Sequence, residues 1–108
     1  MPGPDSALRM LGLAARAGAL VTGTQHVREA VRAGSVRLVL LATDSSDNSR
    51  EKLVPLLDAR RVAYLAVSDR GTLGAAVGKG PLSAVGITVQ SFADRIRTEL
   101  GRDSDGAV

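Results

Sequence analysis

Apolar positions along the chain recur at two spacings. After Ser6, Leu8, Leu11 and Ala15 follow one another at helical intervals, with Arg9 and Arg16 elsewhere on the wheel and Gly18 placed to end the segment, the pattern of an amphipathic helix. Ala19 to Thr22 reads as a short strand, and Val27, Ala30 and Val31 form the inner face of a second helix that stops at Gly34. Val36 to Thr43 (VRLVLLAT) is too uniformly apolar at its centre for a half-exposed strand and reads as one buried on both faces, as do Val62 to Val67 and Ala84 to Val89. Between the first two, Leu53, Leu56 and Leu57 share one face of a helix over Asn48 to Arg60, which Pro55 is expected to kink. Between the latter two, Asp69 to Val77 turns Leu73, Ala76 and Val77 inward and stops at Gly78. Ser91 is placed to cap a last helix carrying Phe92, Ile96 and Leu100.

This order of helices and strands predicts an α/β protein with a largely parallel or mixed central sheet and helices on both faces. A length of 108 residues suits one domain, expected over residues 7–100, between a flexible N-terminus (1–6) and a small, polar, flexible tail (101–108).

Composition narrows the function classes. The chain has no cysteine, which excludes a disulfide scaffold, a thiolate metal site and a cysteine nucleophile. Its longest apolar run, Leu38 to Ala42, is far short of a membrane span, and the first residues lack a signal-peptide pattern, so no membrane association and a cytoplasmic location are expected. The formal net charge is +3, and the acidic end (Glu99, Asp103, Asp105) makes the rest of the chain more basic than that total. Such a body suits phosphate binding, yet many domains of equal charge have no nucleic-acid partner. Of the 14 basic residues only Lys52 and Lys79 are lysine, a bias that guanidinium recognition of phosphate or a GC-rich genome would equally produce.

Most candidate chemistry fails on spacing. In GTLGAAVGKGP (Gly71 to Pro81) a phosphate loop would need glycine at Leu73 and a hydroxyl at Gly80. These glycines read instead as helix packing at Gly74 and a turn from Gly78 to Pro81. His26 is the single histidine, which removes a histidine metal cluster, and no nucleophile motif frames any serine. Asp44, Asp47 and Asn48 could offer oxygen ligands to a cation, but short oxygen side chains are also what a strand-to-helix turn and helix cap require. No catalytic residue, metal or cofactor is expected. Tyr64 and Phe92 are the only aromatic residues, too few for a base-stacking platform, so RNA would have to be read from loops and helix ends.

One stretch remains open, VTGTQHVREAVRAG (Val21 to Gly34). A glycine directly after a strand lets the backbone approach a ligand, and the following helix start leaves free N–H groups that attract phosphate. Gln25 and His26 could meet base edges, with Arg28 and Arg32 supplying charge near the same surface. A plain helix start with a solvated polar face explains the same letters.

The chain resembles the ribosomal protein family that binds kink-turn RNA, in particular its small bacterial YlxQ-type members. The resemblance runs from about Leu8 to Leu100. It is carried by GTQHVREAVRAG, by the apolar strand ending in Ala-x-Asp at Asp44, by the proline inside the third helix, and by Leu73-Gly74 ahead of Gly78-Lys79. It implies a three-layer α-β-α sandwich with a four-stranded mixed sheet. It further implies a monomeric, non-catalytic partner of structured RNA, a kink-turn or ribosomal RNA, whose sharply bent loop exposes guanine edges at tandem sheared G·A pairs. The implied contacts are the turn Gly23, Thr24, Gln25 and His26 and a second loop from Gly80 to Val85; Arg28, Glu29, Arg32 and Lys79 complete the candidate RNA-contacting set. In that loop Pro81, Leu82 and Val85 would pack on an extruded nucleotide.

The family's strong RNA binders place Asn and Glu where this chain has Gln25 and His26, and Lys where it has Glu29. These departures motivate an alternative, a protein-interaction or assembly module on the same scaffold with weakened or lost kink-turn specificity. A related scaffold also recognises RNA in SpoU-type methyltransferases, but no catalytic domain of about 150 further residues accompanies it in this sequence.

Overall fold

The computed structural model describes the backbone of residues 4–106 and the side chains of residues 5–100. In chain order the elements are α1 (Pro4–Arg16), β1 (Leu20–Thr22), α2 (Thr24–Arg32), β2 (Leu38–Leu41), α3 (Asp47–Arg60), β3 (Tyr64–Ala66), α4 (Arg70–Ala76), β4 (Ala84–Ile87) and α5 (Gln90–Gly106). The sheet order is β1-β4-β2-β3. β2 and β3 are parallel, while β4 lies antiparallel between β1 and β2, so the four-stranded sheet is mixed.

Strand alternation sends side chains to two cores. Leu38, Leu40 and Ala42 with Val85 and Ile87 pack against Ala7 and Leu11 of α1, Leu73 of α4, and Ala93 and Ile96 of α5. On the opposite face Val39, Leu41 and Ala84 pack against Val27 and Val31 of α2 and Leu53 and Leu57 of α3. The result is the expected α-β-α sandwich, with β2 and β4 buried along their whole length.

Three expectations need correction. Val62 to Val67 does not form a strand buried on both faces: β3 is an edge strand in which Leu65 and Ala66 are exposed. A position next to β2 alone leaves it outside the zone that both helical layers cover, which apolar letters by themselves do not reveal. Ser91 does not cap α5. The helix opens one residue earlier, and the Val89 carbonyl accepts its first bond from Ala93 N–H at 3.1 Å. The ends also differ: α1 already begins at Pro4 and α5 carries the helix past Leu100 to Gly106, while residues 1–3 and 107–108 of the expected flexible ends lie outside the described residues.

Capping follows the sequence elsewhere. Ser46 accepts a hydrogen bond from Ser49 N–H at the start of α3, and Asp69 accepts one from Thr72 N–H at the start of α4. α3 continues through Pro55, which lies on its exposed side. It ends at Arg61, whose φ of 56° and ψ of 39° are left-handed, a conformation that costs a residue with a Cβ about 1–2 kcal/mol and is normally given to glycine. Arg61→Gly is therefore expected to stabilise the fold by about 1 kcal/mol, visible as a rise of roughly 4 °C in Tm. An unchanged or lower Tm would mean that the arginine side chain contributes more than the backbone loses.

Candidate nucleic-acid interface

One end of the sheet collects the segments that the sequence singled out. β1 runs out into Gly23, whose N–H donates to the Ala84 carbonyl at 3.0 Å, and Thr22 lies in register with Val85. The turn before α2 and the loop before β4 are thus joined directly. On the other side of that loop Ala42 N–H donates to the Ser83 carbonyl at 2.9 Å, and Leu82 N–H donates to the Arg70 carbonyl at 3.1 Å.

Gly23 holds φ 92° and ψ 147° as the N-cap of α2, a region that side chains with a Cβ essentially avoid. Glycine there supplies no capping oxygen, and α2 has no side-chain cap. Its first intrahelical bond runs from Val27 N–H to the Gly23 carbonyl at 2.9 Å, so the N–H groups of Thr24, Gln25 and His26 precede the ladder and face outward for an acceptor. Thr24 is anchored from behind, its Oγ1 sharing a hydrogen bond of 3.0 Å with Ser49 Oγ on α3. Ser49 was not singled out in the sequence. It is buried, and its partners Thr24 and Ser46 combine a local cap with a contact 25 residues away that no local pattern announces.

The two exposed side chains of the first turn are both oriented. His26 Nδ1 lies 3.0 Å from the Thr22 carbonyl oxygen. A carbonyl only accepts, so Nδ1 carries the proton, and in the neutral ring Nε2 is left outward as an acceptor. The Gln25 Nε2 amide donates to Glu29 Oε1 at 3.1 Å, which leaves the side-chain oxygen Oε1 of Gln25 without a partner among the described residues. Glu29, which stands where the family's strong binders place Lys, here positions the glutamine one turn before it. The turn therefore presents two acceptors, Gln25 Oε1 and His26 Nε2, beside a helix N-terminus.

The remaining expected contacts divide. Arg28 is half-buried, and its Nε is buried with no hydrogen-bond partner among the described residues. Lys79 and Pro81 are exposed, and Leu82 is half-buried against the α1/α4/α5 core. Val85 is not on the surface: it is fully buried in β4, because its place in the alternation points it at the core and the loop proper ends at Ser83. Arg32 does not share the Gly23 surface. It stands seven residues beyond Gln25, about 10 Å along α2, and its carbonyl accepts from Arg60 Nη1 at 3.1 Å.

Asp44 is engaged by α4 and not arranged for a cation. Arg70 N–H donates to Asp44 Oδ1 at 2.8 Å, and Arg70 Nε lies 3.6 Å from Oδ2. Among the described residues no group of three or more His, Asp or Glu could hold a metal ion. The Asp69 carboxyl is held below the usual carboxylate value by hydrogen bonds from Thr72 N–H (2.7 Å) and Thr72 Oγ1 (3.1 Å). A surface depression of about 730 Å³ lies elsewhere, between α1 and α4. It is walled mainly by Leu8, Gly12, Leu13, Ala75 and Ala76 and holds none of the turn residues.

Residues 5–96 match the sequence profile of the ribosomal protein L7Ae/L30e/S12e/Gadd45 family. The chain belongs to this family. Within it, the chain is 36% identical over 87 residues to the RNA-binding protein YlxQ of Bacillus subtilis, covering 81% of this chain and 87% of that protein. It is 28% identical over 93 residues to the RNA-binding protein YlxQ of Enterococcus faecium, covering 86% and 89%. A solved Bacillus halodurans protein of unknown function aligns with TM-score 0.84 at 33% identity, covering 88% of this chain and 96% of that one. The Giardia lamblia 15.5kD RNA binding protein aligns with TM-score 0.73 at 20% identity, covering 88% and 82%, and shares the fold. The L7Ae-family relationship thus spans the sheet and the helices that carry the Gly23 turn. Among the described residues of this L7Ae-family chain no helix is long and apolar enough to cross a membrane.

Proposed function

We propose that this L7Ae-family chain is a non-catalytic RNA-binding protein that recognises structured, kink-turn-like RNA, with ribosomal RNA as one source of such a motif. The observation that carries this reading is the uncapped start of α2, where Gly23 leaves three N–H groups open and Gln25 and His26 are held as adjacent outward acceptors. The N–H groups and the helix dipole suit a phosphate. The acceptors suit the N–H donors of guanine edges, which the major-groove acceptors of guanine would not satisfy. His26 Nε2 takes the role of a carboxylate oxygen: with Nδ1 occupied, the neutral ring offers acceptance alone to the outside. Gln25 keeps an amide oxygen, steadied by Glu29. Lys79 and Pro81, with Leu82 beneath them, form the neighbouring rim. The RNA-binding names of the Bacillus subtilis and Enterococcus faecium relatives agree with this reading.

The test is a titration of fluorescent RNA carrying tandem G·A pairs, against the same RNA with those pairs replaced by Watson–Crick pairs. The native chain is expected to prefer the first. Gln25→Ala with His26→Ala should lower that affinity about thirtyfold and remove the preference, since each of the two base contacts contributes at least about 1 kcal/mol. Equal affinity of the native chain for both RNAs would defeat kink-turn recognition. Partners that survive nuclease treatment of a lysate, with no RNA bound in the titration, would favour the protein-interaction module.

A further inference from the structure

A second cationic surface lies at the opposite end of the sheet from the Gly23 turn, where β2 and β3 begin. Arg37, Arg60 and Arg61 line a shallow pocket of about 360 Å³ beside Val36 and Val62, with Gln90 at its edge. The carboxylates associated with its lining are engaged: Asp58 accepts from the Tyr64 hydroxyl at 3.2 Å, and Asp94 accepts from the Gln90 amide at 2.8 Å. Arg60 gives one N–H to the Arg32 carbonyl. The guanidinium groups of Arg32, Arg37 and Arg61 have no hydrogen-bond or ion-pair partner among the described residues.

Helix C-termini attract cations, which accounts for Arg32 at the end of α2 and Arg60 at the end of α3. It does not account for Arg37, which enters a strand, and it does not require at the C-cap Arg61 a long cationic side chain in a left-handed conformation that favours glycine. Three guanidiniums brought together from two chain segments repel one another and gain from a shared anion.

We infer that the Arg37–Arg60–Arg61 pocket is a second, sequence-independent site for RNA backbone phosphates, an inference that rests on the reading of the chain as an RNA binder. Continuity favours RNA over an acidic peptide or a lipid headgroup. α2 has nine residues and so spans about 13 Å, a distance that a duplex arm covers in roughly four base pairs. Along it Arg28 and then Arg32 lead from the Gly23 turn to the Arg60 contact. A duplex arm leaving the turn along this helix meets the pocket, and the guanidinium fork matches a phosphate with two N–H bonds. The pocket adds no aromatic residue of the kind that anchors a peptide partner.

The probe is a plain RNA duplex two helical turns long, without an internal loop, titrated at several salt concentrations. Arg37→Gln with Arg61→Gly is expected to weaken binding about tenfold and to reduce the salt slope by about two, while raising or preserving Tm, so that unfolding is not the cause. Arg37→Lys with Arg61→Lys should retain the slope. An unaltered slope in the Gln/Gly variant, or no duplex binding by the native chain, overturns the inference. So does loss of binding to phosphatidylglycerol vesicles or to a polyglutamate peptide, in place of loss to the duplex, in that variant. Loss of G·A preference alone counts against kink-turn recognition and leaves the duplex result standing.

Discussion

Gly74→Ala is expected to destabilise the protein by about 3 kcal/mol, lowering Tm by roughly 15 °C, although alanine is the better helix former. Gly74 is buried on the inner side of α4, and a Cβ there would be driven into the Gly80 carbonyl and lie 2.7 Å from its carbon. Backbone cannot yield as a flexible side-chain tip can. The same backbone is tied to the glycine, since Lys79 N–H donates to the Gly74 carbonyl at 2.9 Å. Relief therefore requires either α4 or the loop carrying Lys79, Pro81 and Leu82 to move. Gly71, three residues earlier on the exposed side, is the internal control: a Cβ there meets only the Asp69 carboxylate at an ordinary 3.4 Å. Gly71→Ala should leave stability unchanged or raise it by up to about 1 kcal/mol. Thermal melts of the two variants check the pair, and a mild Gly74→Ala would show that the loop does not need this close approach.

Gly23→Ala is expected to lower stability by about 2 kcal/mol and RNA affinity by a similar amount, roughly thirtyfold. At φ 92° and ψ 147° an alanine either keeps the native path under strain or rotates the peptide that directs the first N–H groups of α2. Rotation also pulls at the Gly23 N–H bond to Ala84, which holds the turn beside the second loop. Both losses follow from one backbone change, so the variant should lose stability as well as affinity, whereas Gln25→Ala with His26→Ala, which leaves the backbone intact, should lose affinity alone. Comparing the two variants by melting and by titration on G·A-containing RNA checks this contrast. A Gly23→Ala protein that melts lower yet binds normally would show that the exposed N–H groups are not used.

The hydrophobic pattern announced the layers because period and face are local properties. VRLVLLAT is apolar at successive positions, and successive positions of a strand point to opposite faces, so such a strand must lie between two helical layers. Leu53 and Leu57, or Leu73, mark helix faces by the same logic. The Gly23 turn was legible as a strand-to-helix glycine followed by polar letters. What those letters do was not. Glutamine and histidine in place of asparagine and glutamate look like a loss until Glu29 is seen holding the Gln25 amide and the Thr22 carbonyl is seen occupying Nδ1 of His26.

The sequence by itself determined the α/β class, the approximate elements, the absence of thiol chemistry and the glycine turn between β1 and α2, since each depends on composition or on neighbours within a few residues. Only the tertiary structure decided that β4 inserts between β1 and β2, that β3 is an edge, that Val85 is core, and that Arg37, Arg60 and Arg61 share one pocket far from the Gly23 turn. Those outcomes depend on which segments meet across long loops, and pairing, burial and side-chain partners exist only once the chain has closed on itself.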